Sequence, residues 1–316
     1  MKVVLTLLVR DEADVLEDHL AFHFAAGVDV VIATDHRSRD GTTEILAGDG
    51  RVHLIREEQE RIRQSDWMTR MARLAAEEHG ADWVVNSDAD EFWWPREGSI
   101  KEVLAAVPPA YGVVRAVSRV FVPRPGEGWF AERLTARLAL PAPINDPATP
   151  FRHVAKAAHR GAPHAVVLQG NHTVEGAGAE LRGWCGLELL HFPLRSAAQV
   201  AGKHRRTIEA WERNLRGDLA RARSESVYER VVVDDEALRR GLADGSLVED
   251  TRLRDALRAL RDGRSPTFGP ATSVEDASRA VDAVVLAEAD GVRLQRRVDE
   301  LAARLRTRRR YGWARR

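Results

Sequence analysis

Residues 81–94, Ala81-Asp82-Trp83-Val84-Val85-Asn86-Ser87-Asp88-Ala89-Asp90-Glu91-Phe92-Trp93-Trp94, run from a β-rich apolar segment straight into three acids and three aromatics. Asp82 to Asn86 has the length and composition of a buried strand. The acids follow at its carboxyl end, where open parallel sheets bind their ligands. Two aspartates two apart in an extended segment point the same way, so Asp88 and Asp90 can address one hard cation. Mg2+ or Mn2+ takes only one or two carboxylates and completes its shell with water and phosphate oxygens. A solvated acidic turn or a helix N-cap explains the same residues structurally, since an acid-rich chain meets this pattern by chance. Phe92, Trp93 and Trp94 read as core ahead of a sugar platform.

Working outward, short apolar runs alternate with amphipathic stretches through the first 110 residues, the pattern of a mostly parallel α/β sheet with flanking helices. The strands expected are Val3 to Val9, Asp29 to Thr34, Val52 to Ile55 and Asp82 to Asn86. Val15, Leu16, His19, Leu20, Phe22 and His23 recur at helical spacing, and Gly27 suits a left-handed cap. Further helices are expected from Ser65 (as N-cap) to Glu78 and from Ser99 to Val107, the latter stopped by Pro108 and Pro109. From Tyr111 the spacing turns to strands without helices between them: Gly112 to Val122, Val154 to Ala158, Ala165 to Leu168 and Leu187 to Phe192. Pro141 to Pro150 reads as an irregular loop. After Ser196 the chain reads as helical almost to its end, with breaks at Asp234-Asp235 and Ser265-Pro266. The domains expected are 1–195, in two halves (1–110 and 111–195), and a helical C-terminal region, 196–316.

The chain has 316 residues, 48 basic and 48 acidic, with 44% hydrophobic and 30% charged. This is the composition of a soluble globular protein, which excludes disordered, collagenous and membrane classes. Four basic residues are Lys (Lys2, Lys101, Lys156, Lys203) and the rest Arg, a skew that coding bias explains without nucleic acid as a partner. One cysteine, Cys185, closes no intrachain disulfide and makes no Cys cluster. Val3 to Val9 is too short for a signal peptide or a membrane span, so the expected location is the cytoplasm. Leu294, Val298, Leu301 and Leu305 form a short helical seam, expected to pack on the catalytic domain, with a homodimer through these helices as the alternative. The Arg-rich end, Arg304 to Arg316, suits a helix C-terminus, and membrane association is not expected.

Two further groups carry candidate chemistry. Asp35-His36-Arg37-Ser38-Arg39-Asp40-Gly41-Thr42 follows the second strand; Asp40, Gly41 and Thr42 serve a turn and cap, whereas Asp35 stands at the strand mouth, unused by that account and placed to accept from a nucleobase or ribose. Lys156, His172, His191, Arg195 and Lys203 lie in the second half. Lys retained at 156 and 203 in an Arg-using chain suggests that a compact ammonium is wanted there. His191 also fits the reading of a satisfied polar residue at a strand end.

Taken in order, Arg10-Asp11-Glu12-Ala13, the helix with His23, Gly27-Val28-Asp29, the block Asp35 to Thr42, Gln64 with Trp67, Ala81-Asp82-Trp83, Asp88 to Phe92, and His191-Phe192-Pro193-Leu194-Arg195-Ser196 resemble family-2-like glycosyltransferases of GT-A fold. The resemblance spans roughly Lys2 to Lys203 and implies that 1–195 is a catalytic domain with a nucleotide-binding half (1–110) and an acceptor-side half (111–195). It implies a Rossmann-related sheet, a DxD pair at Asp88 and Asp90 that holds Mn2+ or Mg2+ on a nucleotide-sugar diphosphate, and Glu91 beside it. It further implies nucleoside binding by the first strand end (Val9, Arg10, Glu12) and by Asp35, Ser38, Asp40 and Gln64. Asp11 stands where many relatives have Asn, and the family's acidic pair opening an acceptor-site helix is not found.

A nucleoside diphosphate leaves readily only when its developing charge is neutralised, as a metal with Arg or Lys does in a dry cleft. His191 is the candidate third metal ligand, and Lys156, Arg195 and Lys203 are candidates for the phosphates. Inversion at an anomeric carbon needs a general base, for which His172 and Glu175 are the candidates. The expected activity is a metal-dependent, inverting glycosyltransferase using a UDP-sugar and an unidentified acceptor. The alternatives are a Mg2+-dependent nucleotidyl or phosphoryl transferase, disfavoured by the lack of a GxxxxGK loop, and a non-catalytic sugar-nucleotide-binding module.

Overall fold

The computed structural model describes residues 1–139, 154–182, 186–200 and 231–270, with isolated positions at 202, 287, 291, 294 and 298. The Pro141–Pro150 loop, Cys185, Lys203, Leu301 and Leu305 of the seam and the Arg-rich end lie outside the described residues. The first half alternates as its periodicity dictates: β1 (Val3–Val9), α1 (Ala13–Ala25), β2 (Val30–Asp35), α2 (Thr42–Gly48), β3 (Val52–Arg56), α3 (Gln64–Glu77) and β4 (Trp83–Ser87). Then come β5 (Glu91–Pro95), α4 (Ile100–Ala105), β6 (Tyr111–Val120), α5 (Phe130–Arg133), β7 (Ala136–Leu138), β8 (Ala155–Arg160), β9 (Val166–Val167), a 3-10 turn (Gln169–Asn171), β10 (Val174–Glu175), β11 (Ala179–Glu180) and β12 (Leu187–His191). The C-terminal part holds α6 (Asp235–Asp244), β13 (Leu247–Glu249) and α7 (Arg252–Arg261).

The main sheet runs β3-β2-β1-β4-β8-β6-β12-β5, with β11 added to β6. The first four strands are parallel, so Val9, Asp35, Arg56 and Ser87 end at one edge. Beyond β4 the sheet is mixed: β8 is antiparallel to both neighbours, β12 is parallel to β6, and β5 is antiparallel to β12. Both faces are covered, which is why β1 and β4 read as continuous apolar runs. Asn86 bridges three strands inside this core, accepting from Thr6 Oγ1 at 2.8 Å and donating to the Ala157 carbonyl at 2.9 Å.

Local chemistry explains where the elements depart from the sequence pattern. Gly27, at φ +106°, ends α1 as its missing Cβ allows. Ser99 caps α4 by accepting from Glu102 N. Ser65 does not cap α3: the helix starts at Gln64, and the Ser65 hydroxyl donates to the Val167 carbonyl at 2.6 Å instead. Phe92, Trp93 and Trp94 form a strand, all three rings buried, with Phe22 stacked at 5.8 Å on Trp94 and edge-on at 5.3 Å to Phe92. The region after Ser196 is not wholly helical, since β13 pairs with β7. Leu253, Ala256 and Leu257 of α7 join the same core as α1 and β5. Leu294 and Val298 are exposed. No helix among the described residues is long and apolar enough to cross a membrane.

Glu188 on β12 is fully buried and accepts from Arg96 Nη2 at 2.5 Å, Arg119 Nη2 at 3.0 Å and Arg252 Nη1 at 2.6 Å. Arg252 also grips Asp250, which accepts from Arg137. Burial alone would raise Glu188, but Arg119, Arg252 and Arg96 outweigh it and hold it at about 2; burial likewise opposes and Arg252 and Arg137 likewise depress Asp250, to about 2. Burial lowers His19 to about 3, His159 to about 4 and His23 well below the usual imidazole range.

Below pH 6.5 the unfolded chain therefore binds more protons than the folded one, so stability falls as pH falls. Guanidinium unfolding compared at about pH 7.5 and about pH 4.5 should show a loss of roughly 1–3 kcal/mol per buried imidazole, followed by a further loss toward pH 2 as Glu188 and Asp250 protonate. A flat profile between the first two values contradicts this.

Candidate functional site

The site forms because the end of β12 pairs with the start of β5. In that register His191 lies opposite Glu91, and Phe192 N donates to the Asp90 carbonyl at 2.8 Å, pinning the acidic turn after β4 to the far strand. The turn closes on itself: Glu91 N donates to the Asp88 carbonyl, and Ser87 Oγ donates to the carbonyls of Asp88 and Glu91. Donor atoms of Asp90, Glu91 and His191 all lie within 4.8 Å of one another. Two carboxylates and an imidazole at this spacing suit a hard-to-borderline dication such as Mn2+ or Mg2+ after a small contraction.

Asp88 faces a different partner. Its Oδ2 accepts from Lys156 Nζ at 2.5 Å, and its Oδ1 from Asn171 Nδ2 at 3.3 Å. Lys156 also meets Glu91 Oε1 at 3.2 Å, while Glu91 Oε2 accepts from Asp88 N. Burial and the neighbouring Asp88 and Asp90 charges raise Glu91, against the pull of Lys156. Burial would lower Lys156, but Asp88 and Glu91 reverse this and keep it an ammonium. Lys156, expected at a phosphate, is 4% exposed and committed to carboxylates.

Arg195, also expected at a phosphate, is committed to carboxylates in the same way. It is 1% exposed, and its guanidinium grips Asp14 through Nε at 2.8 Å and Nη2 at 2.7 Å, with Nη2 also on Glu12 and Nη1 3.9 Å from Asp90. Burial opposes its charge, but the Asp14 hydrogen bonds and the Glu12, Asp14 and Asp90 charges keep it protonated. A guanidinium so engaged ties the end of β12 to the start of α1 and is not turned toward an incoming phosphate. Glu12, expected at the nucleotide, serves this anchor.

The block after β2 likewise serves the loops. Ser38 N and Thr43 Oγ1 donate to the two oxygens of Asp35, which is 1% exposed. The carboxylate that strand position left idle is thus the turn's own acceptor. Ser38 Oγ accepts from Asp11 N, and Asp40 accepts from Ala13 N, Thr42 N and Thr42 Oγ1. Asp11 sits at φ +53°, which a short polar side chain tolerates, and takes Arg39 N at 2.6 Å. Val9 is buried, with its carbonyl on His36 N, and Arg10 pairs with Asp11 at 3.9 Å.

Gln64 is placed differently: its Oε1 accepts from Gln169 Nε2 at 2.5 Å, beside a cleft of about 610 Å³ lined by Gln59, Arg61, Ile62, Arg63 and Asp66. Two residues on from Gln169, Asn171 reaches Asp88. Sequence reasoning passed over Asn171, whose only signal is that Asn follows Gly170 in a turn and tolerates its φ of +61°. His172 Nδ1 donates to the Ala155 carbonyl at 2.8 Å, leaving Nε2 as the acceptor, and burial lowers its pKa. Its ring lies against Gly170, where a Cβ would meet Nε2 at 2.5 Å. Glu175 is exposed on β10, opposite Val166.

No family model matches the chain, and no curated protein matches it. Among solved structures it is similar to glucosyl-3-phosphoglycerate synthase from Mycobacterium tuberculosis in complex with Mg2+ and uridine-diphosphate, at 18% identity over 38% of this chain and 43% of that one, TM-score 0.28. It is also similar to 4-diphosphocytidyl-2C-methyl-D-erythritol synthase, at 13% identity over 51% and 76%, TM-score 0.31. A third is a nucleotidyl transferase from Methanothermobacter thermautotroptrophicus, at 18% identity over 40% and 64%, TM-score 0.26. The chain spans less than half the length of the first. Overlaps this partial do not identify the chain, and what its site can do follows from its own side chains.

Replacing Arg195 by Met leaves Glu12, Asp14 and Asp90 without their shared cation, a loss of about 3–5 kcal/mol. At roughly 2–4 °C per kcal/mol for a chain of this size, Tm should fall by about 6–20 °C. Arg195→Lys should recover only part, since an ammonium lacks the two-pronged grip. A calorimetric shift below about 2 °C for Arg195→Met removes the anchor role.

Proposed function

We propose that the protein is a metal-dependent glycosyltransferase that moves a sugar, with inversion, from a nucleoside diphosphate donor, UDP-sugars first among them, to an acceptor hydroxyl. The observation that carries the reading is the convergence of Asp90, Glu91 and His191 at the carboxyl edge of the parallel strands. Asp90, Glu91 and His191 would hold the dication, which when bound neutralises the charge that the departing diphosphate develops. The nucleoside would be received at the cleft by Gln64 and Gln169, and two residues on from Gln169 the Asn171 amide reaches Asp88 of the acidic turn. Asp35 acts by keeping the β2 loop in place.

For the base, His172 is the better of the two candidates. Its neutral imidazole is oriented by the Ala155 carbonyl, its basic Nε2 is available, and its charge is felt by Lys156 and Asp88. Having taken the acceptor's proton, the ring becomes an imidazolium that burial and Lys156 oppose and the Ala155 carbonyl and Asp88 favour, so it gives the proton up readily.

Purified protein incubated with Mn2+ and a panel of nucleotide sugars should release UDP or GDP slowly by hydrolysis; pyrophosphate release would instead favour a nucleotidyl transferase. Asp90→Asn should lower this release about 10²- to 10³-fold, as for loss of one electrostatic stabiliser. Unchanged turnover and Mn2+ dependence in that variant rule out the metal assignment. Once an acceptor is in hand, His172→Gln should lower kcat about 10²- to 10⁴-fold and flatten the acid limb of the pH-rate profile. A variant with the parent's profile excludes His172 as base.

A further inference from the structure

We infer that Lys156 is the built-in counter-cation of the acidic turn: it withholds Asp88 from the dication, leaves Asp90, Glu91 and His191 as the ligand set, and makes cation binding depend on the diphosphate that arrives with it. The inference rests on the metal-dependent reading above.

Lys156 Nζ sits between two carboxylates of one turn, 2.5 Å from Asp88 and 3.2 Å from Glu91. At 4% exposure, on a strand paired with both β4 and β6, it has no inexpensive route to water. Asn171 holds the other Asp88 oxygen from a left-handed backbone position that costs energy for a residue with a Cβ. Asp88 is therefore held from inside on both oxygens, while Asp90, Glu91 and His191 each bring a ligand atom to within 4.8 Å of the others, a set that does not include Asp88. Asn171 adds a second sign of a ligand. Its fully buried Oδ1 has no hydrogen-bond partner among the described residues, leaving an acceptor beside Asp88 for a donor that comes with the ligand.

The charges then set the order of events. Asp88, Asp90 and Glu91 carry three negative charges when ionised, and Lys156 returns one. An ammonium within a few ångströms of the ligand set repels a dication through a poorly screening interior. The two negative charges of a diphosphate offset that repulsion, so each ligand strengthens the other by the same factor. A chain that uses Arg for nearly every cation has Lys here, a point charge that fits between two carboxylates where a planar fork would not.

Mn2+ binding to the full chain, followed by electron paramagnetic resonance with and without UDP, tests this apart from turnover. The parent should bind Mn2+ weakly alone and at least about tenfold tighter with UDP. Lys156→Met should tighten UDP-free Mn2+ binding at least about tenfold and shrink the effect of UDP. Asp88→Asn leaves the Lys156 ammonium without its nearest carboxylate and should weaken UDP-free Mn2+ binding about tenfold. The Asp88→Asn/Lys156→Met double variant, which also serves should Lys156→Met fail to fold, removes opposite charges together and should bind Mn2+ within about threefold of the parent. Unchanged or weaker binding in Lys156→Met, or a roughly tenfold loss in the double variant, overturns the inference. If the parent binds no Mn2+ even with UDP, the metal-dependent reading fails and takes the inference with it; if the parent binds and only the variants disagree, Lys156 alone loses its role.

Discussion

Three carboxylates within four residues, Asp90 and Glu91 buried and Asp88 about a third exposed, need cations beside them, and these come from later in the chain. Lys156 on β8 supplies one, to Asp88 and Glu91, and Arg195 after β12 supplies the other, within ion-pair reach of Asp90. An uncompensated buried charge costs several kcal/mol, so the acidic turn is stable only when the second half has docked. That dependence accounts for the mixed part of the sheet: β8 must run antiparallel beside β4 to bring Lys156 to the level of Asp88, and β12 must end where β5 begins.

The same constraint divides the polar residues near the carboxyl edge into two kinds. Those of the β2 loop, Asp35, Ser38, Asp40 and Thr42, satisfy loop amides and hydroxyls and join the β2 loop to the β1–α1 turn. A loop over a parallel sheet has few ladder partners, and each backbone amide left without water needs an acceptor. Asp90, Glu91 and His191 instead face one another, one ligand atom of each lying within 4.8 Å of the others.

Much of this was legible before any coordinates. Strands β1 to β4 follow from apolar runs of strand length, and Asp88 to Glu91, Lys156, His191 and Arg195 stand out by type and position. What periodicity and residue type do not carry is which hydrogen bonds a side chain makes across the fold. Asp35 looked idle because its partners, Ser38 N and Thr43 Oγ1, are chosen by the loop's path, and Ser65 looked like a cap because Val167 lies about a hundred residues away. Lys156 and Arg195 were found as cations, but their burial on carboxylates depends on strand pairing. Asn171 gave almost no signal, since a turn explains Asn after Gly without reference to Asp88. Strand β5 was hidden because three consecutive aromatics fit a buried strand and a loop cluster equally well.

Side-chain alternation along β12 links the site to the C-terminal part of the chain. Glu188 and His191 are three apart, so they point to opposite faces of the sheet. Glu188 is held by Arg96, Arg119 and Arg252, and Arg252 opens α7, whose Leu253 and Leu257 enter the main core. A one-residue slip of β12 would carry Glu188 onto the face that now holds His191 and break three charge-assisted contacts at once. The register that sets His191 opposite Glu91 is thus enforced from the far side of the sheet, by a residue of the C-terminal region that approaches neither. The buried arginine cluster is in this sense part of the site's construction: it fixes the position of His191 without touching it, and it makes residues 231–270 integral to the fold that carries the acidic turn.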